Sequence, residues 1–363
     1  MKNENKRIEY LDALKLIGIL AIICIHVAIM WPDAKSLGYN VSNFSEFCRM
    51  GVPIFLMVSG ALLLNRNYDL RTFFKKRYSR IVSPFILWAI IYVIFILALY
   101  LITRYEIMFN YFNNFPLEWS WYFWMIFGVY LGIPILNEFI LNKGIKAAEY
   151  FSIIFIFSAI FYEVSIFLNV GTFIDLRFFL GPMGYIVLGY YLANKRFEMN
   201  PKWILFISLI LFIITSLIKA GWNIMPIGEE INVFKTIHDY SHLVIADPNL
   251  RLLSFMDVNI FEIVQAGSVF MIIKTLYEFD LRIPGKRGIK KFILSVSKAS
   301  YGMYLIQVIF IIILNQLLAE MIFTGSQIAV LILVLSIATF ILSWICVLII
   351  NKIPLINKLS GYY

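Results

Sequence analysis

The chain has 363 residues, of which 61% are hydrophobic and only 15% charged, and its mean hydropathy is +0.83. Soluble domains are about 45–50% apolar and about 25% charged, so this composition excludes a water-soluble globule and leaves no room for a separate soluble catalytic domain. The formal net charge of +9 would indicate a nucleic-acid partner only if the basic residues clustered on one folded surface, and they follow the loops between apolar segments instead.

Ten apolar segments are long enough to cross a bilayer and are bounded by charged or turn residues. They lie at 13–31, 44–64, 81–103, 121–141, 147–170, 177–193, 203–219, 259–278, 300–318 and 328–350. This pattern predicts an all-α fold, a polytopic integral membrane helix bundle of about 10 transmembrane helices that forms a single domain over residues 1–363. The first segment follows a basic N-terminus but lacks a small-x-small cleavage site, so we expect it to remain in the mature protein.

Basic residues concentrate in alternate loops. With cytoplasmic N- and C-termini, 22 of the 31 Lys and Arg residues fall in inner loops, chiefly 65–80 and 279–299, while seven fall in outer loops and two inside the segments. This bias is the positive-inside signal of membrane topology. Tryptophans near the predicted outer boundaries fit an interfacial aromatic belt: Trp31, Trp119, Trp121, Trp124 and Trp222. The distribution of charge therefore predicts a multi-pass protein of the cell membrane. Its partner is expected to be the lipid bilayer, and no nucleic-acid partner is expected.

The first segment carries an acid, a base and an imidazole at helical spacing. Lys15 and His26 are eleven residues apart, which on a helix is about 1100° of rotation and about 16 Å of rise, so they share a face. Asp12 is nearly in register with them and can pair with Lys15 at i,i+3. One interpretation is that Asp12 and Lys15 mark the cytoplasmic boundary and His26 is a core histidine. The other is that His26 is a general base, since a neutral imidazole can take a proton from an alcohol.

Polar residues also mark the outer mouths of two other segments. Arg49 lies near the start of the second segment, which ends with the small pair Ser59-Gly60, and Asp175 and Arg177 lie at the mouth of the sixth. These residues are candidates for the acceptor side of a site, because such groups hydrogen-bond sugars. Interfacial charges and small residues also serve helix packing alone, and that interpretation stays open.

The second inner loop is strongly basic where it enters the third segment. Arg77 and Arg80 are i,i+3 neighbours at a predicted helix start, with Lys76 beside them. Guanidinium groups and helix N-termini both hold phosphates, so a phosphate-bearing donor from the cytosol is one interpretation. Positive-inside charge and contacts with lipid headgroups are the other.

Further features carry weaker signals. His238 and His242 are at i,i+4 in the outer loop 220–258, but no third ligand is in register, so we expect an ordinary polar loop and no metal site. The three cysteines, an odd number at scattered positions, are expected to be packing residues. The terminal Gly361-Tyr362-Tyr363 is expected to be an inner tail.

Several patches together resemble the acyltransferase 3 family of integral membrane acyltransferases. They are Asp12 within Leu-Asp-x-Leu-Lys, Lys15-x10-His26, Arg49-x3-Pro53 running on to Ser59-Gly60, Arg77-x2-Arg80-Ile-x2-Pro84, and Ser300-Tyr301-x2-Tyr304-Leu305. The resemblance implies a ten-span membrane acyltransferase domain that uses acyl-CoA, usually acetyl-CoA, to O-acylate a sugar or cell-envelope glycan. It also implies that His26 is the catalytic histidine with Lys15 as its basic partner, and that Arg77 and Arg80 bind the donor.

The sequence departs from the family pattern at several points. Lys15 stands where arginine is common, which keeps the charge and loses the bidentate fork. Gln307 follows Tyr304-Leu-Ile where a second histidine is often found, and the aromatic patch 118–123 lacks the histidine that often precedes it. We also expect no fused esterase-like domain, so the acceptor would meet the membrane domain directly or through a separate envelope partner. A homo-oligomer is a further possible assembly.

The predicted mechanism uses acyl-CoA as a co-substrate, with no bound cofactor. Arg77, Arg80 and Lys76 would hold its phosphates, and the acyl group would reach His26, which deprotonates the acceptor hydroxyl or is itself acylated. Ser59 and Tyr304 would line the passage. The alternative is a transporter or exporter of a glycan or lipid-linked intermediate, and a non-catalytic scaffold is a third hypothesis. The acceptor and the length of the acyl group are left open.

Overall fold

The computed structural model describes residues 8–30, 47–103, 120–167, 177–219, 258–279, 286–318, 325–354 and 356–363. The regular elements in these ranges are all helical. The α-helices, numbered here in chain order, are α1 (Glu9–Met30), α2 (Gly51–Leu63), α3 (Leu70–Thr103), α4 (Trp121–Lys143), α5 (Ile145–Phe167), α6 (Arg177–Asn194), α7 (Pro201–Lys219), α8 (Ile260–Glu278), α9 (Lys286–Leu318) and α10 (Gly325–Asn351), and a 3₁₀ turn follows at Asn357–Leu359.

Each predicted segment corresponds to one helix, which confirms the all-α membrane bundle. Eight of the described helices are long and apolar enough to cross a bilayer. Helix α2 has 13 residues, about 20 Å at 1.5 Å per residue, whereas a bilayer core is about 30 Å thick. Helix α6 is interrupted, because its backbone leaves the helical region at Gly181, directly before Pro182. The second and sixth segments therefore differ from plain transmembrane helices.

Two helices begin earlier than predicted. Helix α3 starts at Leu70 and α9 at Lys286, so the prediction of inner loops over 65–80 and 279–299 is wrong for most of both ranges. Within the first, Phe73 is buried while Lys75 and Lys76 are exposed, which is an amphipathic pattern that continues a helix into the interface. A prediction from hydropathy alone ends a segment at the first charged residue. The helix can nevertheless continue there, because long basic side chains extend from the helical backbone into water.

Helix α3 separates an exposed apolar face from a buried one. The residues of the exposed face recur at intervals of three and four positions: Ile86, Ile90, Ile94, Leu97 and Leu101. The opposite face buries Trp88, Tyr92 and Ile96. An exposed aliphatic stripe of this kind suits a lipid environment, whereas Trp88 and Tyr92 of the same helix face the protein interior.

The chain divides into two compact units. Unit one comprises Met1–Ala21, Glu46–Asn65 and Leu136–Ser297, and unit two comprises Ile22–Ser45, Arg66–Ile135 and Lys298–Tyr363. The division falls within helices α1, α4 and α9, and each unit collects distant parts of the sequence. The single domain over residues 1–363 stays a prediction.

Unit one is held together by close helix contacts and buried polar groups. A Cβ on Gly60 of α2 would lie 1.7 Å from the Ile186 carbonyl oxygen of α6, so only glycine permits this approach. Lys274 of α8 donates hydrogen bonds to the carbonyl oxygens of Leu192 at 2.8 Å and Ala193 at 3.2 Å. This ammonium group satisfies carbonyls at the end of α6, where positive charge is favoured.

A second polar contact in unit one joins α7 to α8 through a buried ion pair. Lys219 and Glu262 are in contact, with side chains only 5% and 2% exposed. Lys219 also donates to Gln265 Oε1 at 3.1 Å, and Gln265 Nε2 donates to Ser216 Oγ at 3.0 Å. Charges inside an apolar bundle are tolerated when they are paired and hydrogen-bonded in this way.

Candidate functional site

His26 lies near the end of α1 in unit two, beside a small cavity. The cavity measures about 20 Å³, which is room for roughly one water molecule. Residues from α1, α3 and α9, together with Ser120 just before α4, form its walls: His26, Phe85, Trp88, Ala89, Ser120, Tyr304, Leu305, Gln307 and Val308. An imidazole in an apolar and aromatic enclosure with a few polar groups has the composition of a binding pocket.

Hydrogen bonds fix two walls of this cavity. The Trp88 indole Nε1 donates to the Ser360 carbonyl oxygen at 3.2 Å, which orients the ring on α3. The Trp124 indole Nε1 donates to Ser120 Oγ at 3.2 Å, and Ser120 is buried. The Trp88 ring and the Ser120 hydroxyl are thus each held by a partner that does not line the cavity.

Gln307 brings a carboxamide to the same cavity. It is fully buried, and its Nε2 donates to the Tyr304 carbonyl oxygen at 3.1 Å. Its Oε1 is buried and lies close enough to the His26 imidazole for the two side chains to interact, although the contact falls short of full hydrogen-bond geometry. A buried acceptor of this kind favours a donor in the cavity, either an imidazole N–H or a hydroxyl group.

Tyrosine rings continue from the cavity along α4 and α9. Tyr304 lies 6.5 Å from the His26 ring, 5.1 Å from the Tyr122 ring and 6.5 Å from the Tyr301 ring, centroid to centroid. Tyr130 follows Tyr122 by eight residues on α4, or about 12 Å along the helix. We refer to Tyr304, Tyr301, Tyr122 and Tyr130 as the tyrosine row.

The far end of the tyrosine row meets arginines. The Tyr130 ring lies 6.4 Å from the Phe73 ring, centroid to centroid, and the Arg77 guanidinium lies 5.8 Å from the centre of that Phe73 ring. Arg66 is also near enough to Arg77 for the two charges to interact. We call Arg66, Arg77 and Arg80 the basic cluster. Clustered cations create a positive potential that attracts anions.

Tyr68 lies beside the basic cluster. Its ring stacks on Phe73 at a centroid distance of 4.5 Å. Burial raises the pKa of Tyr68 to about 12, although the positive charge of Arg77 opposes the shift, so the hydroxyl is a neutral donor at physiological pH. Tyr68 Oη and Arg77 Nε are buried atoms without a hydrogen-bond partner within the described ranges. Both can donate to an incoming oxygen atom.

The model of an acyltransferase domain family matches residues 8–348. The chain belongs to the acyltransferase 3 family. This confirms the resemblance drawn from the motifs, and the protein is a multi-pass membrane acyltransferase. No curated protein and no solved structure matches the chain.

The predicted catalytic and donor residues of this acyltransferase fall in both units. His26, Arg77, Arg80 and Tyr304 belong to unit two, and so does Lys76, which is exposed on α3. Asp12 and Lys15 lie on α1 within unit one. Their catalytic roles stay predictions.

Asp12 has a packing partner in unit one. It is buried and accepts a hydrogen bond from Ser297 Oγ at 2.5 Å, which ties the start of α1 to α9. Lys15, one helical turn further on, is half-buried. Buried carboxylates need such donors, so Asp12 contributes to the structure of this unit whatever its part in catalysis.

The predicted acceptor-side residues lie partly outside the described ranges. Ser59 Oγ donates to the Phe55 carbonyl oxygen of its own helix at 2.8 Å, and Arg49 is half-buried in the turn before α2. Asp175 is outside the described residues, as are His238 and His242, and Arg177 begins α6 with a side chain that is not described. The acceptor-side roles stay predictions.

Several residues of the site were missed by sequence reasoning. Trp88 lines the cavity, Tyr130 belongs to the tyrosine row, and Tyr68 lies beside the basic cluster. The sequence marked Ser120 and Tyr122 only as members of the aromatic patch 118–123. A tryptophan or tyrosine in an apolar segment gives no signal beyond packing or the interface. The high tyrosine content near α4 and α9 was the available hint, since buried hydroxyls need partners.

Proposed function

We propose that this acyltransferase moves an acetyl group from cytosolic acetyl-CoA to a hydroxyl group of a sugar or cell-envelope glycan in the cell membrane. One observation carries the proposal. Within unit two, Tyr304 lies beside both His26 and Tyr122, and Tyr130 of the same helix as Tyr122 lies beside the Phe73 ring that carries Arg77. A donor with a charged head and a long arm that ends in a thioester needs these three environments in this order.

The donor's charged end suits the basic cluster. Coenzyme A carries phosphate groups, and arginine forks bind phosphate oxygens in bidentate fashion. Arg77 and Arg80 would hold these groups, Tyr68 Oη would donate one further hydrogen bond, and Lys76 would add charge from the exposed face of α3. Lipid headgroups offer phosphate too, so competition between coenzyme A and anionic lipid is part of the test.

The donor's arm suits the tyrosine row. The pantetheine arm contains amide groups that lose their water when they enter the protein, and this costs free energy unless hydrogen bonds replace it. Tyrosine combines an apolar ring with a hydroxyl that donates and accepts. Arg77 and Trp88 are eleven residues apart on α3, or about 16 Å, so the path from the cluster to the cavity suits a long, thin arm.

The chemistry assigned to His26 is general base catalysis. The imidazole takes the proton of the acceptor hydroxyl as the oxygen forms a bond to the thioester carbonyl carbon. The carbon–sulfur bond then breaks, and the imidazolium returns the proton to the departing thiolate, so the products are an ester and free coenzyme A. Gln307 Oε1 would accept a hydrogen bond from the ring N–H and orient the other ring nitrogen toward the hydroxyl.

The test uses purified protein in liposomes with [acetyl-¹⁴C]acetyl-CoA and membrane or glycan fractions as acceptors. Wild type should release free thiol and label a saccharide-containing fraction, whereas His26→Gln should do neither. Tyr150→Phe, at an exposed position of α5, is the control and should match wild type. Equal labelling by His26→Gln would overturn the mechanism. Movement of a glycan across the liposome without thiol release would favour the transporter alternative.

A further inference from the structure

The last residues of the chain, 360–363, form a folded segment on unit two, which we call the tail. Its backbone is anchored at two points: the Trp88 indole donates to the Ser360 carbonyl oxygen at 3.2 Å, and the Tyr363 N–H donates to the Lys298 carbonyl oxygen at 2.9 Å. The tail lies beyond residues 8–348, which the family model matches. It is therefore a feature of this chain outside the matched region.

Two glycines let the tail lie directly on α9. Gly361 has a φ of +81°, and a Cβ there would lie 2.8 Å from the Cα of Gly302. A Cβ on Gly302 would lie 2.4 Å from the Ser360 carbonyl oxygen. Both the backbone conformation at Gly361 and the close approach to Gly302 require glycine, so these two residues permit the tail to pack against α9.

Each tyrosine of the tail lies against a cation. The Arg80 guanidinium is 5.3 Å from the centre of the Tyr363 ring, and the Lys298 ammonium is 5.7 Å from the centre of the Tyr362 ring. Both distances are within the range of cation–π attraction. Arg80 belongs to the basic cluster, so the tail touches the proposed donor site at its charged end.

We propose that Tyr363 is a positioning residue that holds Arg80 in the orientation that binds the donor's phosphates. This inference rests on the proposed function. A free arginine side chain samples many rotamers and loses that entropy when it binds, whereas an arginine already held on a ring loses less. Burial raises the pKa of Tyr363 against the opposing charge of Arg80, so its ring faces the guanidinium as a neutral phenol.

Tyr362 makes the same type of contact with a different cation, Lys298. Lys298 also receives the tail's backbone hydrogen bond through its carbonyl oxygen. A change at Tyr362 should therefore affect the attachment of the tail, whereas a change at Tyr363 should affect the position of Arg80.

The experiment measures steady-state kinetics with acetyl-CoA as the varied substrate. Tyr363→Leu should raise KM for acetyl-CoA by about two- to fivefold, the size of an exposed cation–π contact, and leave kcat unchanged. Tyr363→Phe keeps the ring and should match wild type. Tyr100→Leu, at an exposed position on α3, is the control for replacement of a tyrosine on the apolar surface.

A double substitution tests whether Tyr363 acts through Arg80. Arg80→Gln should raise KM by itself, and Tyr363→Leu should add nothing in that background, because the side chain it positions is gone. An additional rise of two- to fivefold in the double variant would overturn the positioning role, since Tyr363 would then act independently. A fall in KM for Tyr363→Leu would also overturn it and would show that the tail obstructs the donor.

The two proposals fail in different ways. If Arg80→Gln raises KM and Tyr363→Leu does not, the positioning role is wrong and the donor site stands. If Arg80→Gln leaves KM unchanged, the assignment of Arg80 to the donor is wrong, and the positioning role is wrong with it. Thermal unfolding of each variant establishes that equal amounts of folded protein are compared. The ring-retaining Tyr363→Phe shows whether loss of the hydroxyl, which donates to the Lys358 carbonyl oxygen at 3.2 Å, has an effect by itself.

Discussion

The imidazole of His26 and the phenol ring of Tyr304 lie 6.5 Å apart with their planes at 45°. They come from α1 and α9, near opposite ends of the sequence. Tyr304 also contacts Tyr122 of α4, so it is the link between the cavity and the remainder of the tyrosine row. A group that reaches His26 along this row must pass Tyr304.

Gln307→Leu should lower kcat by about tenfold and leave KM for acetyl-CoA unchanged. Leucine has a similar volume but no acceptor for the imidazole N–H, and a lost hydrogen bond of about 1.4 kcal/mol in the transition state corresponds to tenfold in rate. Single-turnover labelling measures the chemical step directly. Unchanged kcat in folded protein would contradict the orienting role of Gln307.

Val308→Ala should change the preference for the acyl group. Val308 is buried in the cavity wall, and a single methylene in an apolar pocket changes discrimination by about 10–200-fold. The ratio of propionyl-CoA to acetyl-CoA turnover should therefore rise by about tenfold. Val187→Ala, the same change at a buried position of unit one, should leave the ratio as in wild type. If the ratio is the same in wild type, Val308→Ala and Val187→Ala, the acyl group does not bind beside Val308.

Tyr68→Phe should raise KM for acetyl-CoA by about tenfold, because a hydrogen bond to a charged group contributes about 1.5–3 kcal/mol. Since the pKa of Tyr68 is raised to about 12, the hydroxyl keeps its proton below that pH. The contribution of Tyr68 is therefore constant between pH 7 and 9 and is lost only as the pH approaches 12. The ratio of variant to wild-type KM, measured at pH 7, 8 and 9, should be the same at each pH.

Lys219→Met should destabilise the protein by about 3–5 kcal/mol, because it leaves the Glu262 carboxylate buried beside an apolar side chain. Replacing both residues with Met and Leu should recover most of the loss. Lys195 is the matched control: it pairs with Glu149 at 3.2 Å where the two side chains are 32% and 38% exposed, so Lys195→Met should have little effect on the free energy of unfolding. Unfolding in detergent measures all three, and equal losses for the two lysines would contradict this account.

The sequence predicted the helices because the bilayer imposes a simple rule. About twenty apolar residues must be helical to satisfy their backbone groups in lipid, and each predicted segment contains a helix. Segment ends were predicted less well. Leu70 and Lys286 begin helices that continue through charged residues, since a helix in the interface keeps its hydrogen bonds while its basic side chains reach water.

The residues of the site also divide into those that the sequence predicted and those that only the tertiary structure revealed. Motif spacing alone singled out His26, Arg77 and Arg80, because histidine and clustered arginine are rare and carry recognisable chemistry. The tertiary structure decided that Gln307, Trp88 and Ser120 share the cavity with His26, and that Tyr363 lies on Arg80. Glutamine, tryptophan and tyrosine occur in many packed helices, and only long-range contacts between distant parts of the chain give them a place beside the reacting groups.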